Sequence, residues 1–246
     1  MSGRLAIVGL GPGSPDLLTT AAAAELATAE LLVGYRRYLD WIPSRLAGGV
    51  REPYELGQER LRARRAVEAA AAGRRVALVS GGDPGVYGIA ALALEEVAVG
   101  GHRLEVTVVP GVTAATAAAA LVGAPLAVDF ACLSLSDLLL PARELEDRTL
   151  ALAAADLVLV LYNPASASRR SPWRATVGHL QRLRPATTPV AAVRRAFRPG
   201  QEVHLSEVGR LHELPVDMET VVIVGSSRTR RLGDWLLTLR DRERRR

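Results

Sequence analysis

The sequence predicts an α/β protein built from two α/β domains with mostly parallel sheets. Short apolar runs alternate with longer segments rich in Ala, Leu, Glu and Arg, and Gly/Pro clusters follow several of the apolar runs. This alternation is typical of parallel strands whose connecting helices cover both faces of a sheet. The chain has 246 residues, 49% of them hydrophobic, and can therefore bury a large core in one large or two ordinary domains.

Seven segments have the length and composition of strands, namely RLAIVGL, ELLVG, RRVALVS, LEVTVVP, DLVLVLYN, TPVAAVR and ETVVIVG. Five segments between them are helical in composition, namely LLTTAAAAELATA, QERLRARRAVEAAAAG, GIAALALEEVAVG, TAATAAAALVG and WRATVGHLQRLR. The Arg-rich tail RDRERRR is expected to be the solvated end of a final helix. A composition shift at GAPLAVDF predicts a boundary between about Val122 and Val128. We therefore expect an N-terminal domain at residues 1–122 and a C-terminal domain at residues 123–246.

The charge pattern allows an anionic ligand. All 31 basic residues are arginine, and the formal net charge is +5. A GC-rich coding sequence would produce this bias, but arginine also grips carboxylates and phosphates through two parallel hydrogen bonds. Few aromatic residues interleave with the basic ones, so a nucleic-acid partner is not expected.

Cysteine usage and hydropathy indicate a cytoplasmic protein. The single cysteine, Cys132, excludes an internal disulfide, cannot hold an iron–sulfur cluster and suits a reducing compartment. The N-terminal apolar run breaks at glycine and proline, so no signal peptide is expected. The tract VTAATAAAALVGAPLAV is interrupted by Thr, Gly and Pro, so no membrane span is expected either. We expect no metal site.

Glycine-rich or polar clusters follow five predicted strands, as GLGPGSPD, SGGDPG, PGVTA, YNPAS and GSS. In open α/β sheets the ligand crevice lies outside the carboxyl ends of the strands. Glycine there lets the main chain approach a ligand closely. The clusters therefore predict a site lined largely by backbone, although any one of them alone is equally typical of an ordinary turn.

The first of these loops departs from a dinucleotide fingerprint. Ser14 stands where the third glycine of G-x-G-x-x-G belongs, and Pro12 removes a backbone donor that a pyrophosphate would use. No acidic residue ends the second strand, and the absence of lysine excludes a P-loop. A ligand with an adenosine and an amino acid, such as S-adenosylmethionine, fits better.

Eight segments in order along the chain resemble the tetrapyrrole methyltransferases, the class III S-adenosylmethionine-dependent enzymes of cobalamin and sirohaem synthesis. They are GLGPGSPDLLT, VGYRRYLDWI, VSGGDPGVYGIA, VPGVTAATAAAALVGAPLAVDF, SLSDLLLP, LVLYNPAS, TPVAAVRRA and VDMETVVIVGSS. DPGVYG, SLSDLL and YNPxS resemble the branch that methylates C-17 of precorrin-3B and contracts the ring. The resemblance implies the tetrapyrrole methylase fold, a homodimer, and S-adenosylmethionine bound in a cleft between two domains, with S-adenosylhomocysteine as product.

The resemblance also implies which residues contact the methyl donor. They are Pro12, Gly81, Gly82, Asp83, Val86, Thr113, Ala114, Tyr162, Asn163, Ala196 and Thr220. Two of them have a plain structural alternative, since Thr113 is also a natural N-cap and Asp83 could cap the following helix.

The substrate implied by the resemblance is a polycarboxylate tetrapyrrole, whose orientation would need arginines. The candidates for substrate binding are Tyr35, Arg36, Asp129, Arg194 and Arg195. Ring contraction needs acid–base help, for which we expect Asp137 assisted by Ser134 and Ser136. The alternative is that SLSD caps a helix beginning at Leu138.

Other functions remain open from the sequence. The same scaffold could act on cobalt-loaded precorrin-3B, on precorrin-4 at C-11, on precorrin-2 at C-20 or on uroporphyrinogen III. An RNA methyltransferase predicts salt-sensitive nucleic-acid binding. A non-catalytic tetrapyrrole carrier predicts binding of the macrocycle without methyl transfer.

Overall fold

A computed structural model describes residues 3–136, 140–166 and 169–240 of the chain. The chain divides into two compact units, Met1–Ala114 and Ala115–Arg246. Each unit has its own sheet and its own hydrophobic core.

The first unit is a five-stranded parallel sheet with the strand order β3-β2-β4-β1-β5. Alternate residues of the central strands enter two different cores, one against α3 and α4 and the other against α1 and α2. Burial on both faces explains why these strands are continuous apolar runs in the sequence. The elements are β1 (Arg4–Gly9), α1 (Thr20–Thr28), β2 (Leu31–Tyr35), α2 (Arg36–Asp40), β3 (Val50–Tyr54), α3 (Glu59–Ala71), β4 (Arg75–Ser80), α4 (Ala90–Val99) and β5 (Glu105–Val109).

The second unit contains a mixed five-stranded sheet with the order β10-β9-β11-β8-β7 and a small sheet with the order β12-β13-β6. In the larger sheet β7 and β8 are parallel, whereas β11 runs antiparallel to both β8 and β9. The elements, beginning with the helix at the division between the units, are α5 (Ala114–Val122), β6 (Gly123–Ala124), β7 (Phe130–Ser134), α6 (Ala142–Ala154), β8 (Val158–Tyr162), α7 (Ser171–Leu183), β9 (Pro189–Arg194), β10 (Glu202–Glu207), β11 (Thr220–Val224), β12 (Thr229–Leu232) and β13 (Trp235–Thr238).

The predicted α/β fold class is confirmed, and all seven predicted strands and five predicted helices are present. The prediction of parallel strands holds for the first sheet, while the second is mixed because β9 and β10 form an antiparallel pair and β11 is inserted antiparallel. The expectation of a final helix is wrong for the described residues. The segment before the tail forms the β12–β13 hairpin instead, and residues 241–246 lie outside the described part of the chain.

Helix α5 explains why the units divide at Ala114 while the sequence places the boundary at Val122. The backbone N–H of Ala115 donates to the Tyr162 hydroxyl at 2.9 Å, which satisfies one of the free N–H groups of the helix start. At the other end the chain continues directly into β6, which pairs with β13. The helix is thus anchored at both ends to elements that follow it in sequence.

A buried arginine joins three elements of the second unit. The Arg184 guanidinium donates to the carbonyls of Ala153 at 3.2 Å, Leu157 at 2.7 Å and Gly225, and Arg184 is only 6% exposed. Burial lowers the pKa of Arg184, and the nearby Asp156 opposes that effect. This side chain ties the end of α6 to the start of β8 and the end of β11.

No helix within the described residues is both long enough and apolar enough to cross a membrane. Within the same residues, His, Cys, Asp and Glu side chains form no group of three or more that could hold a metal ion.

Candidate active site

Three loops meet at the carboxyl edge of the first sheet. The loops after β1 and β4 are joined by a two-way bridge, in which the Gly11 N–H donates to the Gly82 carbonyl at 3.1 Å and the Gly82 N–H donates to the Gly11 carbonyl at 2.7 Å. The loop after β5 reaches the same place through Gly111, described next. Because all strands of this sheet are parallel, their carboxyl ends lie along one edge.

Glycine is required where these loops converge. Gly82 has a φ of +66°, in the left-handed region that other residues avoid. A Cβ on Gly111 would lie 2.2 Å from the Gly82 carbonyl oxygen, and one on Gly9 would lie 2.7 Å from the Gly111 nitrogen. The three strand ends can approach this closely only without side chains.

Asp83 links two of the loops. One carboxylate oxygen accepts from the Gly85 N–H at 2.7 Å and the other accepts from the Gly111 N–H at 3.1 Å. Asp83 does not cap the following helix, because α4 begins only at Ala90. A carboxylate has about four acceptor positions, so the partly buried Asp83 can still accept hydrogen bonds from a ligand.

The other residues of this unit that were predicted to contact the methyl donor lie on the same three loops. Pro12 is buried between Gly11 and Gly13, and Val86 is 37% exposed in the loop before α4. Thr113 is partly buried and directly precedes Ala114, the first residue of α5, which is the position of an N-cap. The seven residues of the first unit that were predicted to contact the methyl donor therefore all lie at one edge of its sheet.

Tyr35 and Arg36 lie at the carboxyl end of β2 and the start of α2. Arg36 is exposed and its Nε donates to Glu55 at 2.9 Å. Tyr35 packs edge-on against Tyr38, with ring centroids 5.2 Å apart.

Sequence reasoning missed the aromatic residues that support the loop after β4. The Tyr38 and Trp41 rings pack together at 4.8 Å, and a Cβ on Gly81 would lie 2.7 Å from the Tyr38 ring. The three-residue spacing of the aromatics in YRRYLDW was the available signal, since it places them on one face of a helix.

In the second unit, predicted residues from four strands also share one edge. Ser134 pairs in register with Tyr162, and Thr220 pairs in register with Arg194. Because β11 is antiparallel to both β8 and β9, its first residue lies beside their last residues. Ser134, Tyr162, Asn163, Arg194, Arg195, Ala196 and Thr220 are therefore near one another along this edge.

Ser134 and Asn163 are in direct contact, since the Asn163 amide donates to the Ser134 hydroxyl at 3.1 Å. The Ser136 N–H also approaches that hydroxyl, at 3.4 Å. Asp137, the expected acid–base residue, and Leu138 lie outside the described residues, and the described helix that follows begins at Ala142.

Asp129 is not brought to this edge. It is exposed and precedes the first residue of β7, whereas Ser134 is the last residue of that strand. The length of the strand, about 13 Å, separates the two ends. Any contact of Asp129 with the substrate would be distant from Ser134.

Left-handed backbone conformations concentrate at the edge that carries Asn163. Asn163, Arg195 and Phe197 have φ values of +50°, +50° and +58°, and the last two flank Ala196. Such conformations cost about 1–2 kcal/mol in residues other than glycine and asparagine. Strained backbone of this kind is typical of ligand sites.

Arg194 and Arg195 are already paired within their own unit. The Nε of Arg194 lies 2.7 Å from Asp217, and the Nε of Arg195 lies 2.7 Å from Glu219. The Thr220 hydroxyl is buried and donates to Asp217 at 2.8 Å. These pairings position the loop between β9 and β10 and leave the arginines less free to bind substrate carboxylates than the sequence suggests.

The residues at the carboxyl edge of the first unit's sheet fit S-adenosylmethionine as a ligand. The glycines let the main chain of the three loops approach a ligand closely. The Asp83 carboxylate has unused acceptor positions, which suit the hydroxyl and ammonium groups of an amino-acid nucleoside. Thr113 at the start of a helix suits the carboxylate group of such a ligand. The chain has no lysine, which excludes a P-loop. These backbone and side-chain groups match the polar groups of S-adenosylmethionine.

Comparison with known proteins matches residues 4–214 to the tetrapyrrole (corrin/porphyrin) methylases. The chain is 40% identical over 227 residues to a probable cobalt-factor III C(17)-methyltransferase of Salmonella typhimurium, covering 92% of this chain and 93% of that protein. It is also 40% identical to a precorrin-3B C(17)-methyltransferase of Sinorhizobium sp, covering 94% of this chain and 91% of that protein. Other relatives are longer: the chain is 43% identical to the cobalamin biosynthesis protein CobIJ of Mycobacterium tuberculosis but spans 46% of its length.

The fold is similar to that of solved methyltransferase structures. The crystal structure of the methyltransferase CobJ superposes with a TM-score of 0.90 at 38% identity, covering 97% of this chain and 100% of that chain. Uroporphyrin-III C-methyltransferase from Thermus thermophilus, complexed with S-adenyl homocysteine, superposes with a TM-score of 0.66 at 27% identity, covering 91% and 97%. The fold, the backbone-lined sheet edge and these similarities agree, and the chain belongs to the tetrapyrrole (corrin/porphyrin) methylases.

Proposed function

We propose that this protein transfers a methyl group from S-adenosylmethionine to C-17 of precorrin-3B, or of the cobalt-containing substrate cobalt-factor III, with ring contraction, in cobalamin biosynthesis. The similarity to two C(17)-methyltransferases over more than nine-tenths of both chains supports the substrate. The observation that supports S-adenosylmethionine as the methyl donor is the convergence of three glycine-containing loops around Asp83.

In the first unit the donor is held by main chain and a few polar groups. Gly82 leaves the backbone open to the ligand, Gly81 and Ala114 are proposed backbone contacts beside it, and Asp83 accepts from the ammonium or hydroxyl groups of the donor. Pro12, Val86 and Thr113 line the same edge. In the second unit, Tyr162, Asn163, Ala196 and Thr220 are the proposed contacts, and the Tyr162 and Thr220 hydroxyls already have partners, so these two would act through their backbone.

The chemistry demands little acid–base machinery for the transfer itself. When bound, S-adenosylmethionine supplies an activated methyl group on a sulfonium, so the protein's contribution is to align the substrate carbon and to exclude water. Ring contraction needs proton transfer, for which Ser134 is oriented by the Asn163 amide. We assign the acid–base role to Asp137, assisted by the hydroxyls of Ser134 and Ser136.

The function is tested by incubating purified protein with precorrin-3B, and separately with cobalt-factor III, and a donor carrying ¹³C in its methyl group. We expect the label at C-17 of one substrate by NMR and one equivalent of S-adenosylhomocysteine per product. Transfer only to precorrin-4, precorrin-2 or uroporphyrinogen III, offered in parallel incubations, would assign the protein to another member of the family. Binding of the macrocycle without any transfer would indicate a carrier.

The variant Asp137→Asn tests the acid–base assignment. We expect it to bind the methyl donor with unchanged affinity while ring contraction slows by about 100-fold, because a positioned proton donor contributes factors of this order. Calorimetry with S-adenosylhomocysteine provides the binding control. Unchanged formation of the contracted product would remove Asp137 from the mechanism.

Two further predictions concern the setting of the enzyme. We propose that it is a homodimer and works in the cytoplasm, as the family resemblance and the cysteine usage indicate. An RNA methyltransferase is disfavoured, since aromatic residues make up only 4% of the chain and base stacking would need them. Retention of purified protein on RNA at low salt would revive that alternative.

A further inference from the structure

Helix α7 carries positive charge and no acidic residue. Its sequence, SPWRATVGHLQRL, contains Arg174 and Arg182, and Arg170 directly precedes its first residue. Residues four apart lie on the same face of a helix, so Arg170, Arg174 and Gly178 follow one another along one face. That face is basic at its start and has no side chain at Gly178.

This face forms one wall of a cleft of about 390 Å³. The opposite wall is formed by His212, in the last turn of the 3₁₀ helix Val208–Glu213, and by Leu214, which follows that helix. Trp173 and Val177 are buried and supply an apolar lining. A Cβ on Gly178 would meet only the Arg182 guanidinium, at 3.8 Å, so the missing side chain leaves room in the cleft.

The two arginines at the mouth of the cleft differ from those at the nearby sheet edge. Neither the Arg170 nor the Arg174 side chain forms an ion pair or a hydrogen bond with any residue that the structure describes. Arg194 and Arg195, in contrast, are held by Asp217 and Glu219. Two uncompensated guanidinium groups, one helical turn apart over an apolar lining, favour a ligand with two carboxylates on an apolar frame.

The cleft begins in the loop that leaves the second unit's larger sheet at the edge carrying Ser134 and Asn163. Arg170 lies in the loop that leaves the carboxyl end of β8 immediately after Asn163, and this loop is tightened by a hydrogen bond from the Ser166 N–H to the Arg169 carbonyl at 2.9 Å. From Arg170 to Gln181 the helix then extends by about 16 Å. A molecule bound beside Asn163 can therefore place its peripheral groups in the cleft.

We infer that Arg170 and Arg174 bind carboxylate side chains on one edge of the tetrapyrrole, and that they do so in place of Arg194 and Arg195. This inference rests on the proposed function, because it takes a polycarboxylate macrocycle as the substrate. The cleft is large enough for the acidic side chains of one edge, while the ring itself stays outside it. Arg194 and Arg195 position the loop that carries Ala196.

The test compares the double variant Arg170→Gln/Arg174→Gln with Arg103→Gln, in which a charge is removed just before β5, at the amino edge of the first sheet. Binding of uroporphyrin III, a stable polycarboxylate tetrapyrrole, is followed by its fluorescence, and binding of S-adenosylhomocysteine by calorimetry. Each lost charge-assisted contact should weaken uroporphyrin binding by about tenfold. Affinity for S-adenosylhomocysteine should be unchanged in both variants, and Arg103→Gln should bind uroporphyrin like the wild type.

The outcomes separate this inference from the proposed function. If the double variant binds uroporphyrin within twofold of the wild type, the inference is wrong, even where C-17 methylation has been demonstrated. If the wild type methylates neither C-17 substrate but the double variant still loses uroporphyrin binding, the arginine assignment stands and the proposed reaction falls. Inorganic phosphate at millimolar concentration should compete weakly; full displacement would identify the cleft as a phosphate site and contradict the inference.

Discussion

Replacing Gly111 with alanine tests whether the three loops of the first unit hold the methyl donor together. The new Cβ would lie 2.2 Å from the Gly82 carbonyl oxygen and ordinary contact starts at 3.4 Å, so the two loops must separate by about 1 Å. That movement breaks the hydrogen bond from the Gly111 N–H to Asp83, now 3.1 Å long. A bond to a charged group contributes about 1.5–3 kcal/mol, and the displaced backbone adds to this loss.

We expect Gly111→Ala to lower the free energy of unfolding by about 2–4 kcal/mol, which for a chain of this size lowers Tm by about 4–16 °C. Calorimetric titration of the folded variant with S-adenosylhomocysteine should show at least a tenfold loss of affinity, since Asp83 and the Gly82 backbone are both displaced. Scanning calorimetry on the same samples gives the stability change.

Gly101→Ala is the matched control. Gly101 has a φ of +61°, and no atom of the described residues lies within 4 Å of its added Cβ, so the substitution costs only the backbone strain of about 1–2 kcal/mol. It should lower Tm and leave affinity for S-adenosylhomocysteine unchanged. If Gly111→Ala binds as tightly as the wild type while losing stability, the loop convergence is structural only and the reasoning is refuted.

Three further predictions concern the second unit. Arg184→Met should lower the free energy of unfolding by roughly 3 kcal/mol or more in urea titrations, because several buried carbonyls lose their donor; a change below about 1 kcal/mol would contradict the role of Arg184. Burial alone would raise the pKa of Asp217, but hydrogen bonds from Arg194 and Thr220 outweigh it and lower that pKa. The ionised Asp217 therefore stabilises the fold at neutral pH, and this contribution is lost as the pH falls below about 3.8, so Asp217→Asn should flatten the acid limb of stability against pH. Burial raises the pKa of the Cys132 thiol, so iodoacetamide should label it slowly near neutral pH until the protein is unfolded, and equal rates in both states would contradict this.

Much of the first unit could be predicted from sequence because local and global signals agree there. Its central strands are buried on both faces and appear as uninterrupted apolar runs, and the glycines that end them are demanded by contacts as short as 2.2 Å. The strand β3 (Val50–Tyr54) was missed because it lies at a sheet edge and contains charged residues and Pro53.

The second unit was harder to predict since its pairings join residues far apart in sequence. Asp217 and Glu219 form ion pairs with Arg194 and Arg195 only because β9 pairs with β11. No local sequence pattern predicts that pairing. The alternation of polar and apolar residues in EVHLSE indicates β10 only weakly. The Arg-rich tail RDRERRR suggested a final helix, whereas the residues before it form the β12–β13 hairpin. That Arg174 has no side-chain partner among the described residues, whereas Arg194 has one, can be seen only once these contacts are known.

The backbone-lined edge of the first sheet is the proposed binding site of the methyl donor, and a crystal structure grown with S-adenosylhomocysteine tests this most directly. We expect the ligand against Gly81 and Gly82, with a hydroxyl or ammonium group within hydrogen-bonding distance of Asp83. Ordered ligand elsewhere in the molecule, with these loops empty, would contradict the account.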